Sequence, residues 1–202
     1  MPFGEAALAL VKRLLAESGL DTASVPEAVN FDPRRGLDRS VIEELFNCRW
    51  IRLGNNATIV GMTGGGKTYL AQALGRAAIR QGMSLRYKRA HLLTEDLALA
   101  RIDGSLRKLR QLYSKCDLLI IDDFALSEID DQANEDLLDI LDSRAGQKST
   151  IVVGQRAIAE WHTFIGAPLI ADAMLDRILC RAYNITLRGE SMRKRAPNTQ
   201  EV

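Results

Sequence analysis

Residues 61–68 read Gly-Met-Thr-Gly-Gly-Gly-Lys-Thr, and their types and spacing are those of a phosphate-binding loop, with Gly61, Gly66, Lys67 and Thr68 at the required positions. Glycines lack a Cβ, so successive backbone N–H groups can turn inward and cradle phosphate oxygens at a helix N-terminus. Contacts are expected along Gly61, Met62, Thr63, Gly64, Gly65, Gly66, Lys67, Thr68 and Tyr69. Lys67 would neutralise the β- and γ-phosphates, and the Thr68 hydroxyl would take one position around Mg²⁺. The bland alternative is a glycine-rich turn that happens to precede a lysine. Its context argues otherwise: a β-prone run at 57–60 enters the loop, and Leu70, Leu74, Ala77 and Ala78 then keep helical spacing up to a stop at Gln81-Gly82. Such a loop takes a nucleoside triphosphate without saying what the nucleotide is for.

A second group follows at Leu118-Leu119-Ile120-Ile121-Asp122-Asp123, four apolar residues ending in two acids. This is the pattern of a Walker B strand, which sets a carboxylate beside the phosphate loop to hold Mg²⁺. Adjacent strand residues face opposite ways, so the acids should differ in role. Asp122 is assigned to Mg²⁺ and Asp123 to orienting or activating the attacking water. A strand-like segment at 84–87 precedes the acids, which suits the branch of phosphate-loop proteins that inserts an extra strand in the sheet and hydrolyses ATP. Gln155, leaving the β-branched run 149–153, is the candidate γ-phosphate sensor; a polar residue simply exiting a strand is its plain alternative. Arg177 lies on a helical stretch at 171–182 with Ala173 and Arg181 at i±4 and Met174 and Cys180 at i±3, so no carboxylate is expected in reach within the helix. Either it is a solvated arginine or it serves the γ-phosphate of a neighbouring subunit.

The elements that must position these groups alternate between strand and helix, which implies a parallel sheet covered on both faces. A short helix is expected at 5–17 and another at 39–50, with Val41, Leu45 and Phe46 inward. Leu92, Leu93 and Leu97 mark a helix ended by Asp103-Gly104, and Ser105 would cap the next, carrying Leu106, Leu109, Leu112 and Tyr113. Leu137, Leu138 and Leu141 mark one more, and 183–187 closes as a strand.

A chain of 202 residues, 47% hydrophobic and 26% charged, can form one domain with a sizeable core. The net charge of +1 gives no global attraction to nucleic acid, so any such site must be local. Three scattered cysteines, Cys48, Cys116 and Cys180, show neither disulfide nor metal spacing and suit a reducing cytoplasm. The apolar run at 8–11 passes directly into Lys12-Arg13 and is too short to span a bilayer.

Taken together, these residues resemble the IstB/DnaC-like branch of AAA+ ATPases, helpers of insertion-sequence transposases and loaders of replicative helicases. The likeness runs from Phe31 to about Arg195. It rests on Arg35-Gly36-Leu37-Asp38-Arg39, Asp122-Asp123, Glu160-Trp161-His162, the stretch 171–177 and Gly189-Glu190-Ser191-Met192-Arg193-Lys194. The resemblance implies a P-loop NTPase fold with a central five-stranded parallel sheet flanked by helices and no separate lid domain. It divides the chain into a short segment at 1–30, an ATPase domain at 31–195 and a tail at 196–202. It further implies Arg177 as an arginine finger in trans, Arg193 as a second phosphate sensor, and DNA contacts from the helices between His91 and Lys115. Basic residues there and just before are Lys88, Arg89, Arg101, Arg107, Lys108 and Arg110; an ordinary solvated face would look the same. Two departures stand out: about thirty residues precede Phe31, where relatives usually carry a longer N-terminal domain, and Gly154 stands where a small hydroxyl residue commonly precedes the sensor amide.

The leading expectation is a cytoplasmic ATPase that binds ATP and Mg²⁺, assembles on DNA as a homo-oligomer and regulates a transposase. A helicase loader differs only in partner. A small-molecule kinase would transfer phosphate to an acceptor instead of water, and a nucleotide-gated DNA scaffold would not hydrolyse.

Overall fold

The computed structural model describes residues 2–21, 23–126 and 130–189. Five strands, β1 (Asn56–Gly61), β2 (Leu85–Arg89), β3 (Leu118–Phe124), β4 (Ser149–Gly154) and β5 (Ala182–Leu187), form one parallel sheet in the order β2-β3-β4-β1-β5. The strand that separates the phosphate loop from the acidic strand is therefore β4, while the segment expected at 84–87 is the edge strand β2. β3 and β4 are buried on both faces, which is why they read as unbroken apolar runs.

Alternation along each strand divides the core in two. Leu118, Ile120, Ile151 and Val153 point to one layer, and Leu119, Ile121 and Val152 to the other. The first layer is built by α1 (Pro2–Ser18), α2 (Arg39–Phe46), α3 (Arg49–Arg52) and α4 (Lys67–Arg80). The second contains α5 (Ala90–Ile102), α6 (Leu106–Lys115), α7 (Asp131–Arg144), α8 (Ile158–Ile165) and α9 (Pro168–Leu179). Each Leu or Ile buried in these layers contributes roughly 1.5–3 kcal/mol. Helix α4 lies flush on the sheet because Gly75 faces it: a Cβ there would sit 2.7 Å from Leu85 Cδ1 and 3.0 Å from Ile120 Cδ1.

Three helix expectations are corrected. The helix expected at 39–50 breaks between α2 and α3, where Cys48 takes a left-handed conformation (φ 55°). Its inward residues are Ile42 and Leu45, each 1% exposed, with Val41 and Phe46 only partly covered. Ser105 precedes α6 without a side-chain cap; its own N–H is taken by Asp103 Oδ1 at 2.8 Å. Helix α9 also ends before Cys180, and Ala182 already belongs to β5.

The second layer is fastened by Arg144, 1% exposed at the end of α7. Its guanidinium donates to the carbonyls of Tyr113 (2.6 Å), Cys116 (2.9 Å) and Ser149 and to Thr150 Oγ1 (3.0 Å), joining α6, the turn that follows it and β4 at one point. No helix among the described residues is long and apolar enough to cross a membrane.

Candidate functional site: a nucleotide cleft

The loop 61–66 leaves the C-terminal end of β1 and enters α4 at Lys67, so the free N–H groups of the helix face the cleft. Two of its glycines are required by geometry. At Gly61 (φ 148°) a Cβ would lie 2.3 Å from the Leu187 carbonyl oxygen of β5. At Gly66 (φ 84°) it would lie 2.7 Å from Arg35 Nη2. Lys67 is 7% exposed and its Nζ donates to the Met62 carbonyl at 2.8 Å, which keeps the cation inside the turn of the loop. Burial lowers its pKa, and the charges of Asp122 and Asp123 oppose that shift.

The cleft, about 540 Å³, is lined by Thr63, Gly64, Gly66, Lys67, Thr68, Tyr69 and, across from the loop, by Tyr87, Arg89, Asp123 and Gln155. That volume lies within the usual range for small-molecule sites, ~300–1,000 Å³. Asp122 is 1% exposed; its Oδ2 accepts from the Tyr87 hydroxyl at 2.7 Å and its Oδ1 from the Asp123 N–H at 2.8 Å. The two acids diverge because the strand breaks, not because it alternates. Asp123 has φ 55°, and the β3–β4 register shifts between Ile121 and Phe124. Asp123 Oδ1 accepts from Gln155 Nε2 at 3.4 Å, and its Oδ2 lies 3.7 Å from Arg89 Nε. Gln155 in turn accepts from Thr63 Oγ1 at 2.7 Å, so it spans the cleft from loop to acid. The donor set that Mg²⁺ prefers, a hydroxyl and carboxylate oxygens, is present in Thr68 and Asp122, and a lysine sits in the loop where phosphate charge would concentrate. The residues fit ATP with Mg²⁺.

Gly154 has a structural cause. A Cβ there would lie 2.8 Å from Trp161 Cζ2, and Trp161, fully buried, packs edge-on to Phe124 with ring centroids 5.1 Å apart. The residue before Gln155 is small because α8 brings an indole against it.

The remaining expected residues lie elsewhere. Arg177 belongs to α9, and its carbonyl accepts from Asn56 Nδ2 at the start of β1. The phosphate loop follows the other end of that strand, roughly 16 Å away by strand rise. Arg177 pairs with Asp142 of α7 at 3.0 Å and, contrary to the expectation that no carboxylate in its own helix is in reach, with its neighbour Asp176 at 3.3 Å. Arg89, grouped by sequence with the basic DNA candidates, instead lines the cleft. Lys88 pairs with Asp96 at 2.7 Å, and Arg101 and Arg110 both pair with the buried Asp136 of α7. Arg107 lies on α6, as does Lys108, which lines a separate groove beside β2. Arg193 lies outside the described residues.

Sequence reasoning missed three contributors. Arg35, 8% exposed, donates to the Gly65 carbonyl at 2.9 Å and so supports the loop from beneath. Its only sequence signal is its place in the block 35–39. Tyr87 donates to Asp122 and Gln72 (6% exposed) lines the same cleft, and neither carries a motif. Burial first, then the Asp122 charge and hydrogen bond, push the Tyr87 phenol up to about 12, so it remains an O–H donor.

The family model described as IstB-like ATP binding protein matches residues 9–200. An insertion-sequence ATP-binding protein of Sinorhizobium fredii is 43% identical over 171 residues, covering 85% of this chain and 70% of that protein. Among solved structures, replication initiator DnaA bound to AMPPCP and single-stranded DNA superposes with a TM-score of 0.72 at 20% identity, covering 86% of this chain and 52% of the other. The chain thus spans about half the length of that DnaA chain. The DnaC helicase loader gives 0.64 at 21% identity, covering 88% and 99%. At these identities the structures show the fold, an AAA+ P-loop sheet. With the glycine loop and the acidic strand end set in that sheet, and the family model spanning most of the sequence, the chain belongs to the IstB-like ATP-binding protein family.

Proposed function

We propose that the protein hydrolyses ATP to ADP and phosphate, and that nucleotide state governs its assembly on DNA as a helper of a transposase. The observation that carries this is Gln155, which joins Thr63 of the phosphate loop to Asp123, the carboxylate left free to face the cleft. A kinase would need room for an acceptor at this point; an acid and an amide held over the loop suit water.

The loop amides and Lys67 would bind the phosphates, and Thr68 and Asp122 would hold Mg²⁺, which would supply neutralisation of phosphate charge. Asp123 orients the water and accepts its proton, while Gln155 holds the γ-phosphate. Arg177 is the finger a neighbouring subunit receives. Its place at the far end of β1 keeps it away from its own loop, and Asp142 and Asp176 would hold it until a neighbour's phosphate competes. For DNA, Arg107 and Lys108 on α6 are the principal contacts, with Lys88 and Arg101 first having to leave their carboxylates; Arg193 is kept as a second phosphate sensor. Such phosphate contacts are salt-sensitive and sequence-independent. A cytoplasmic setting accords with Cys48 and Cys116 being buried free thiols.

Helicase loading is the second reading, favoured by the DnaC likeness; insertion-sequence relatives at 43% identity favour the transposase. The test is phosphate release from ATP with and without duplex DNA, alongside native mass in a non-hydrolysable analogue. DNA should raise turnover and the analogue should give assemblies larger than a monomer. A protein that stays monomeric, with turnover indifferent to DNA, overturns the assembly reading.

A further inference from the structure

Asp122 is held by a hydrogen bond from a residue outside the nucleotide motifs. The Tyr87 hydroxyl donates to Asp122 Oδ2 at 2.7 Å. The direction follows from chemistry: a carboxylate can only accept, and a phenol has one proton to give. Ser24 Oγ donates to Gln72 Oε1 at 3.1 Å. Ser24 and Gln72, 5% and 6% exposed, line the same cleft as Tyr87. The sheet provides the alignment. Tyr87 pairs with Ile120 in the β2–β3 register, and Asp122, two residues on, shares the face that α4 and Gln72 cover.

A lone carboxylate rotates within a broad, roughly two-fold torsional well. Here both oxygens are tied, Oδ2 by Tyr87 and Oδ1 by the Asp123 N–H, which fixes the carboxylate plane and leaves its remaining lone pairs for a cation. We propose that Tyr87 is a positioning residue for the Mg²⁺-holding carboxylate. This rests on the reading of the cleft as an ATP–Mg²⁺ site. Partners of this kind, which orient metal ligands without touching the metal, typically contribute about 10–100-fold in affinity.

The experiment is a Mg²⁺ titration of the binding of a fluorescent ATP analogue, with a parallel measurement in EDTA, for wild type and Tyr87→Phe. Tyr87→Phe keeps the ring and removes the proton, so its half-saturating Mg²⁺ should rise about 10-fold. Metal-free nucleotide affinity should fall by much less than this. Should Tyr87→Phe fail to fold, Tyr87→Leu carries the same expectation. A half-saturating Mg²⁺ unchanged in Tyr87→Phe overturns the proposal, as does an equal loss of metal-free binding, which marks a structural role. A wild-type protein that binds the analogue with no regard to Mg²⁺ overturns the reading of the cleft itself.

Discussion

The Thr63 hydroxyl donates to Gln155 Oε1 at 2.7 Å, so the loop after β1 is fastened to the end of its sheet neighbour β4. Gln155 also reaches Asp123, so one amide sets the spacing between phosphate cradle and acid. Gln155→Ala should lower turnover by about 10²-fold while leaving ATP affinity within a few-fold, because the interaction matters at the γ-phosphate and not to the loop as a whole. Steady-state phosphate release and equilibrium binding on the same preparation would separate the two effects. Equal losses in both would mean Gln155 only shapes the loop.

Gly154→Ala should act on the same residue from behind. Its methyl would press on Trp161 at 2.8 Å, an overpacking that costs about 1–3 kcal/mol. A fall of roughly 2–4 °C in Tm per kcal/mol is expected, with altered Trp fluorescence and lowered turnover as Gln155 is displaced. An unshifted Tm would show that the indole can yield.

Arg144→Leu tests the fold without touching the cleft. It leaves the carbonyls of Tyr113, Cys116 and Ser149 without their donor, each loss costing about 1–3 kcal/mol. Denaturant unfolding should show a loss of at least about 3 kcal/mol. Nucleotide affinity in the fraction that remains folded should be unchanged.

What the sequence made legible was local. The loop at 61–68, the acids after Leu118-Leu119-Ile120-Ile121 and the β-branched strand before Gln155 all declare themselves within a few consecutive residues, and their geometry follows. What stayed hidden depends on pairs far apart in the chain. Tyr87 meets Asp122, Ser24 meets Gln72 and Arg35 meets Gly65 only once the sheet order and the packing of α4 are known. Arg89 and Arg101 look alike as basic residues, yet one faces the cleft and the other pairs with Asp136, since charge pattern does not encode direction. The break at Cys48 escaped notice because a non-glycine residue takes the left-handed conformation there.

Arg177→Ala subunits should bind ATP as wild type does but hydrolyse it poorly when assembled, by about 10³-fold or more if the finger acts in trans. Mixing them with Lys67→Ala subunits, which keep the arginine and lose the loop lysine, should restore part of the activity. No recovery on mixing, together with normal turnover of Arg177→Ala alone, would remove the trans assignment and leave Arg177 as a partner of Asp142.

The central claim is that Lys67 and Asp123 serve one hydrolytic cleft. It is tested most directly by single-turnover phosphate release from ATP in Mg²⁺, comparing wild type with Lys67→Ala and Asp123→Asn. The account predicts release by the wild type, loss of both binding and release in Lys67→Ala, and retained binding with release at least about 10²-fold slower in Asp123→Asn. Wild-type protein that binds ATP and releases no phosphate, or Asp123→Asn turning over at the wild-type rate, would contradict it.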